Sequence, residues 1–167
     1  MERIQGNGLL VECINPRLRR YIVRWDVKPY VDEKTGAQGL DYYEQWVNHK
    51  PTMSEIKKIV TDGFNVLIDQ QIQSGFRWNG LGVWLSRENQ FNYKAAYDLA
   101  IQTDGGNLPT TFKFGTNEEP QYYTFHSVDD LANFYLSAMR YINAVLNEGW
   151  RKKDAIDWSE YERLLDI

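Results

Sequence analysis

Residues Gly75 to Ala100, GFRWNGLGVWLSRENQFNYKAAYDLA, decide the fold. Asn79-Gly80 calls for a two-residue type I′ turn, because that turn needs positive φ at both positions and few residue pairs supply it. Folding strands about the turn sets Trp78 opposite Leu81, Phe76 opposite Val83 and Ser74 opposite Leu85. Directly opposed residues share a face, so Phe76, Trp78, Leu81, Val83 and Leu85 form one apolar surface. Arg77, Gly82 and Trp84 take the other side. Ser86 then stands where a helix N-cap belongs, and Glu88 places negative charge in the first turn. A slip of one residue would expose the whole apolar surface, so turn and pattern set the register together.

Upstream, Thr52 and Glu55 have capping-box spacing at the start of a helix. Ile56, Ile59, Val60, Phe64, Leu67, Ile68 and Ile72 recur on one stripe of it. Gly63 interrupts that stripe at a cost of ~1 kcal/mol against alanine, which points to a close backbone contact there. Downstream, a helix from about Arg87 to Thr103 has two apolar edges: Phe91, Ala95 and Leu99 on one, Tyr93, Ala96, Tyr97 and Ala100 on the other. Its alanines make it thin enough to approach a sheet or a neighbour, and Asp104-Gly105-Gly106-Asn107 stops it. A second hairpin follows Pro109. Phe112 and Phe114 alternate with Thr111 and Lys113 on one strand, Tyr123 and Phe125 with Tyr122 and Thr124 on the other. Ser127 caps a third helix, with Asp130 placed to return the bond; Leu131, Phe134, Tyr135, Ala138, Ile142, Val145 and Leu146 form its buried stripe. Gly149 and Arg151-Lys152-Lys153 suit the end of that helix. Asp157 and Glu160 can cap a last short helix carrying Trp158, Tyr161, Leu164 and Leu165.

Residues 1–50 are β-rich. Leu9–Ile14 is a short apolar run before the turn signal Asn15-Pro16, and Tyr21–Val27 alternates as a strand that Pro29 ends or bends. Leu40–Val47 returns as a second strand after the polar loop Asp32–Gly36. With no parallel βαβ pattern, the class is α+β. The expected organisation is a β-rich segment at 1–50, a helix–hairpin–helix–hairpin–helix series at 51–156 packed as one compact domain, and a short helix at 157–167.

The 167 residues carry a formal charge of −4 and 14% aromatic side chains. The acidic balance argues against nucleic acid as a partner, which demands a concentrated basic face. Arg17-Leu18-Arg19-Arg20 and Arg151-Lys152-Lys153 read as solvated faces. The single cysteine, Cys13, excludes an internal disulfide and, lying in an apolar run, reads as a buried inert thiol. The N-terminus has no signal-peptide pattern, and no apolar run approaches the ~20 residues that span a membrane.

Chemistry is sparse. His49 and His126 lack a second ligand at helical spacing, so no metal pair is indicated. Glu118-Glu119 and Asp32-Glu33 sit on loop tips, and Asp129-Asp130 lies at a helix start where the dipole welcomes it. Asn79-Gly80-Leu81-Gly82 lacks the Lys-Ser/Thr tail of a phosphate-binding loop, and no serine has nucleophile-elbow context. The expectation is therefore no catalytic residue, no metal site, no cofactor and no enzymatic activity. The aromatic surface is the remaining candidate. Trp84 projects from the hairpin with only Gly75 opposite, so it either stacks on a sugar ring, anchors a partner protein, or is covered by the first helix or the N-terminal strands. Burial or partner contact is the preferred reading, with Trp78, Trp84 and Tyr122 as candidate binding residues.

The order of motifs from residue 51 resembles an uncharacterised domain that recurs in bacteriophage tail-fibre and tail-fibre-assembly proteins. The match rests on the helix Ile56–Ile72, then Ser74-Gly75-Phe76-Arg77-Trp78-Asn79-Gly80 running into Val83-Trp84-Leu85-Ser86, and Glu88-Asn89-Gln90 before the alanine-rich helix. Leu108-Pro109-Thr110-Thr111-Phe112-Lys113 follows, then the helix Val128–Leu146 and Gly149-Trp150-Arg151-Lys152-Lys153-Asp154. The resemblance implies a virion component or fibre chaperone, resident in the virion or the host cytoplasm. It also implies other tail or virion proteins as partners, and leaves open a homo-oligomer. A carbohydrate-binding receptor module of the fibre is the alternative.

Overall fold

The computed structural model describes residues 2–6 and 8–165. Its elements run β1 (Ile4–Gly6), β2 (Val11–Asn15), β3 (Arg20–Val31), β4 (Gln38–Val47), α1 (Met53–Gly75), β5 (Arg77–Trp78), β6 (Leu81–Gly82), α2 (Arg87–Gln102), β7 (Thr110–Gly115), β8 (Pro120–Phe125), α3 (Val128–Asp154) and α4 (Trp158–Leu165). The class is α+β, as the patterning indicates. Internal contacts divide the chain into two units, Met1–Leu67 with Arg151–Ile167, and Ile68–Trp150.

The first unit is built on an antiparallel sheet ordered β1-β4-β3-β2. Alternation sends Val11, Val23, Trp25 and Val47 to one face, where they meet Ile56, Val60 and Phe64 of α1 and Tyr161 of α4. The Thr52–Glu55 capping box forms as the spacing demands. The Thr52 amide donates to the Glu55 carboxylate at 2.8 Å, and the Glu55 amide donates to Thr52 Oγ1 at 3.3 Å. Gly63 explains itself here, since a Cβ at that position would land on the buried Trp25 ring. On the opposite face Arg24 is buried. It donates to Glu44 at 3.1 Å and Glu12 at 2.6 Å, and lies 4.8 Å over the Tyr42 ring.

Strand β1 was not expected from the pattern. Arg3 secures it by donating to Asp26 at 2.7 Å and Asp41 at 2.6 Å, and by lying 4.7 Å over Tyr43. Asp26 reaches Arg3 because β3 bulges between Trp25 and Lys28, with Asp26 itself at φ 51°. Pro29 does not end β3; it pairs opposite Leu40 beyond the bulge, where β2 no longer follows.

Cys13 corrects the reading of a buried thiol. It pairs with Tyr21 near the end of β2, and its side chain is exposed. A depression of about 530 Å³ lined by Cys13, Val11, Tyr21, Leu164 and Leu165 lies there. Alternation places Cys13 on the same side as Val11, but the layer that covers Val11 has run out. A colourless-to-yellow disulfide reagent is therefore expected to titrate one thiol per chain within minutes in native buffer at about pH 8. A thiol that stays silent until denaturant is added would contradict the exposed placement.

The second unit holds the two hairpins. Asn79 and Gly80 have φ of 48° and 82°, with Trp78 opposite Leu81, so the type I′ turn is in place. The Val83 amide donates to Phe76 O at 2.9 Å, extending the pairing. Ser74 belongs to α1, and it is the Gln73 carbonyl that accepts from the Leu85 amide at 2.9 Å. Strands β7 and β8 pair with Phe112 opposite Tyr123 and Lys113 opposite Tyr122. Phe76, Val83, Leu85, Phe114 and Phe125 turn inward on Tyr93 of α2 and on Leu131, Phe134 and Ala138 of α3. Ser86 caps α2 by accepting from the Asn89 amide. Ser127 does the same for Asp130 at 3.2 Å, while the Asp130 carboxylate accepts from Tyr123 Oη at 3.2 Å. Gly149 does not end α3, which continues to Asp154; it is buried where a Cβ would run into Ile68.

Only one of the two apolar edges of α2 is covered. Tyr93 and Ala100 are buried with Ala96 beside them. Phe91, Ala95 and Leu99 face outward.

Candidate functional site: an open groove at Trp84

Alternation in the first hairpin puts Trp84 on the side away from the core, and the indole is 49% exposed. It stands between two depressions. One, of about 450 Å³, is lined by Arg77, Trp84, Thr116, Glu119 and Gln121. The other, of about 430 Å³, is lined by Trp84, Asn89, Lys113, Asn117 and Glu118. Of burial or partner contact, the preferred reading of Trp84, burial does not hold, since the residue is half exposed. Its flanks are open and polar.

The frame around the ring is well held. Asn89 Nδ2 donates to Trp84 O at 2.8 Å, which ties the start of α2 to the indole's own backbone. Arg77 donates to Gly80 O at 2.6 Å, fixing the guanidinium over the turn. The β7–β8 tip is locked by the Glu119 amide donating to Thr116 Oγ1 at 3.0 Å, with Gly115 at φ 77°, a conformation that L side chains rarely adopt. Asn79 Nδ2 donates to Tyr123 Oη at 3.1 Å, and Tyr123 donates on to Asp130. That chain of bonds ties the turn of one hairpin to a strand of the other and to the start of α3. The charged groups facing Trp84 balance: Arg77 and Lys113 against Glu118 and Glu119.

The three candidate binding residues separate. Trp78 lies on the inner face, its ring edge-on to Phe134 at 5.5 Å, with Nε1 buried and unpartnered. Tyr122 is 69% exposed on the outer face of β8, opposite Lys113, which lines the groove with Trp84. Trp84 and Tyr122 are both exposed, though Tyr122 lines neither depression, and Trp78 turns inward. Glu118 and Glu119 read from sequence only as a solvated loop tip, and the packing of one hairpin against the other is what brings them to the indole.

Elsewhere several titratable groups are held in local structural pairs. His49 Nε2 lies 2.9 Å from Glu55, whose carboxyl is held below its usual range by the Thr52 amide first and His49 second. Lys58 and Asp62 pair at 2.6 Å one turn further on. Among the described residues no cluster of three His, Cys, Asp or Glu side chains could hold a metal ion. No helix among them is long and apolar enough to cross a membrane.

The groove can grip a ligand by stacking on an indole and by hydrogen bonds from amides, a guanidinium and an ammonium. Fold and surface together define an α+β protein with an open aromatic groove between two hairpins. The chain belongs to the family described as Domain of unknown function (DUF4376), whose model matches residues 55–167. No curated protein and no solved structure matches it.

Proposed function

We propose that the chain is a non-catalytic bacteriophage or prophage tail- or virion-associated protein, structural or fibre-assembling, that acts through protein–protein contacts. The setting is supported by the resemblance of the motif order from residue 51 to tail-fibre and fibre-assembly proteins. The mode of action rests on one observation: Trp84 and Tyr122 are mounted on two mutually bonded hairpins and left open to solvent. Exposed rings on a rigid frame are what interface anchors consist of, because little conformational entropy is lost when they are covered. Other tail or virion proteins are the partners of this reading, met in the virion or in the host cytoplasm. The acidic charge disfavours nucleic acid.

The groove itself favours a second reading, a carbohydrate-binding receptor module of the fibre. An indole with polar groups on both flanks and balanced charge suits an uncharged sugar ring, whose C–H face stacks while its hydroxyls take the hydrogen bonds. One variant serves both readings. Trp84→Ala is expected to weaken capture of fibre or baseplate proteins encoded beside this chain about 30-fold, the effect of losing a hot-spot tryptophan worth about 2 kcal/mol. Trp78→Phe, on the inner face, should leave capture unchanged. Binding to a glycan array with no capture of tail proteins would replace the first reading by the second, and capture indifferent to Trp84 and Tyr122 would remove the groove from both.

A further inference from the structure

We propose that the uncovered edge of α2 is a self-association surface, and that a second copy of this chain packs on it antiparallel about a two-fold axis near Ala95. Phe91 is 71% exposed and Leu99 47% exposed, each one helical turn from the exposed Ala95. Spacing of four residues puts the three on one stripe. The stripe reads large–small–large and is therefore nearly the same in either direction along the helix. A two-fold axis near its centre sets Phe91 of one copy over Leu99 of the other, twice, and Ala95 lets the backbones approach.

Charge supports the same partner. Lys94 and Asp98 pair at 2.6 Å along one flank of the stripe, both side chains well exposed. A two-fold axis lying across two antiparallel helices brings each flank against its own copy. It reverses the order along the axis, so Lys94 of one copy meets Asp98 of the other. Two ion pairs then frame the apolar contact, whereas a parallel two-fold would turn each Lys94–Asp98 flank against the opposite flank of the other copy and form neither. A 16-residue helix is about 24 Å long and one face of it is smaller than the ~800 Å² that each partner of a stable complex usually buries. The association is accordingly concentration-dependent and reversible.

Sedimentation equilibrium of the full chain tests this. The weight-average mass is expected to climb from 19.7 kDa toward twice that value as concentration rises from about 10 µM to about 1 mM. Ala95→Glu, at the crossing point, should hold the chain monomeric throughout. Lys94→Asp and Asp98→Lys should each weaken self-association about tenfold or more alone, and a mixture of the two should associate at least as well as the wild type. That recovery on mixing separates a contact between copies from the pair within one helix. Should Ala95→Glu lose helix by circular dichroism, Leu99→Gln takes its place with the same expectation. A wild-type chain that stays monomeric across the range, self-association that survives both stripe variants, or no recovery on mixing would each overturn the proposal.

Discussion

Replacing Phe134 with alanine is expected to lower stability by about 3–5 kcal/mol, read as a fall in the urea midpoint with little change in slope. Phe134 is fully buried at the meeting point of both hairpins and α2. Its ring lies within 6.3 Å, centroid to centroid, of Phe76, Trp78, Tyr93, Phe112, Phe114 and Phe125. Truncation removes the transfer energy of a benzyl group, leaves a cavity that six rings cannot all collapse into, and ends the edge-on contacts with Trp78 and Tyr93. The dryness of this site shows in Tyr93, whose phenol is pushed up to about 12 by burial. A loss below about 1 kcal/mol would mean that the two hairpins do not pack through this ring.

Gly63→Ala is expected to destabilise by about 2 kcal/mol net, against what helix propensity says. Propensity alone favours alanine in the middle of α1 by ~1 kcal/mol. The added methyl, however, runs into Cε2, Cζ2 and Nε1 of Trp25, a ring 1% exposed and stacked on Tyr43. Overpacking a closed site costs typically 1–3 kcal/mol or more, because rigid rings must tilt and their neighbours follow. The sterics win. Thermal unfolding would settle the sign, and a raised midpoint would mean that α1 stands further from the sheet than described.

What could be read from the sequence was local. Asn79-Gly80 dictates its turn through φ, Thr52–Glu55 and Ser86 dictate helix starts through orphaned amides, and Gly63 announces a close contact by its cost. Face assignment by alternation held in both hairpins. What was not legible depends on how far a covering layer reaches. Cys13 has the pattern of a core residue but lies beyond the core's rim. The two edges of α2 are equally apolar, and the choice of which is covered belongs to the tertiary packing. Glu118 and Glu119 join Trp84 only because one hairpin tip closes on another, a relation with no local signature.

The bulge in β3 bears on how copies of this chain can and cannot meet. Past Arg24, whose amide still donates to Leu10 O at 2.8 Å, that strand runs on beyond the reach of β2, the kind of border on which foreign strands ordinarily lengthen a sheet. Here the border is bent at a left-handed Asp26, carries the charge of Lys28 and lacks a donor at Pro29. Each of these frustrates a straight newcomer looking for regularly spaced amides. Concentrated preparations should therefore resist fibrillar growth through this sheet.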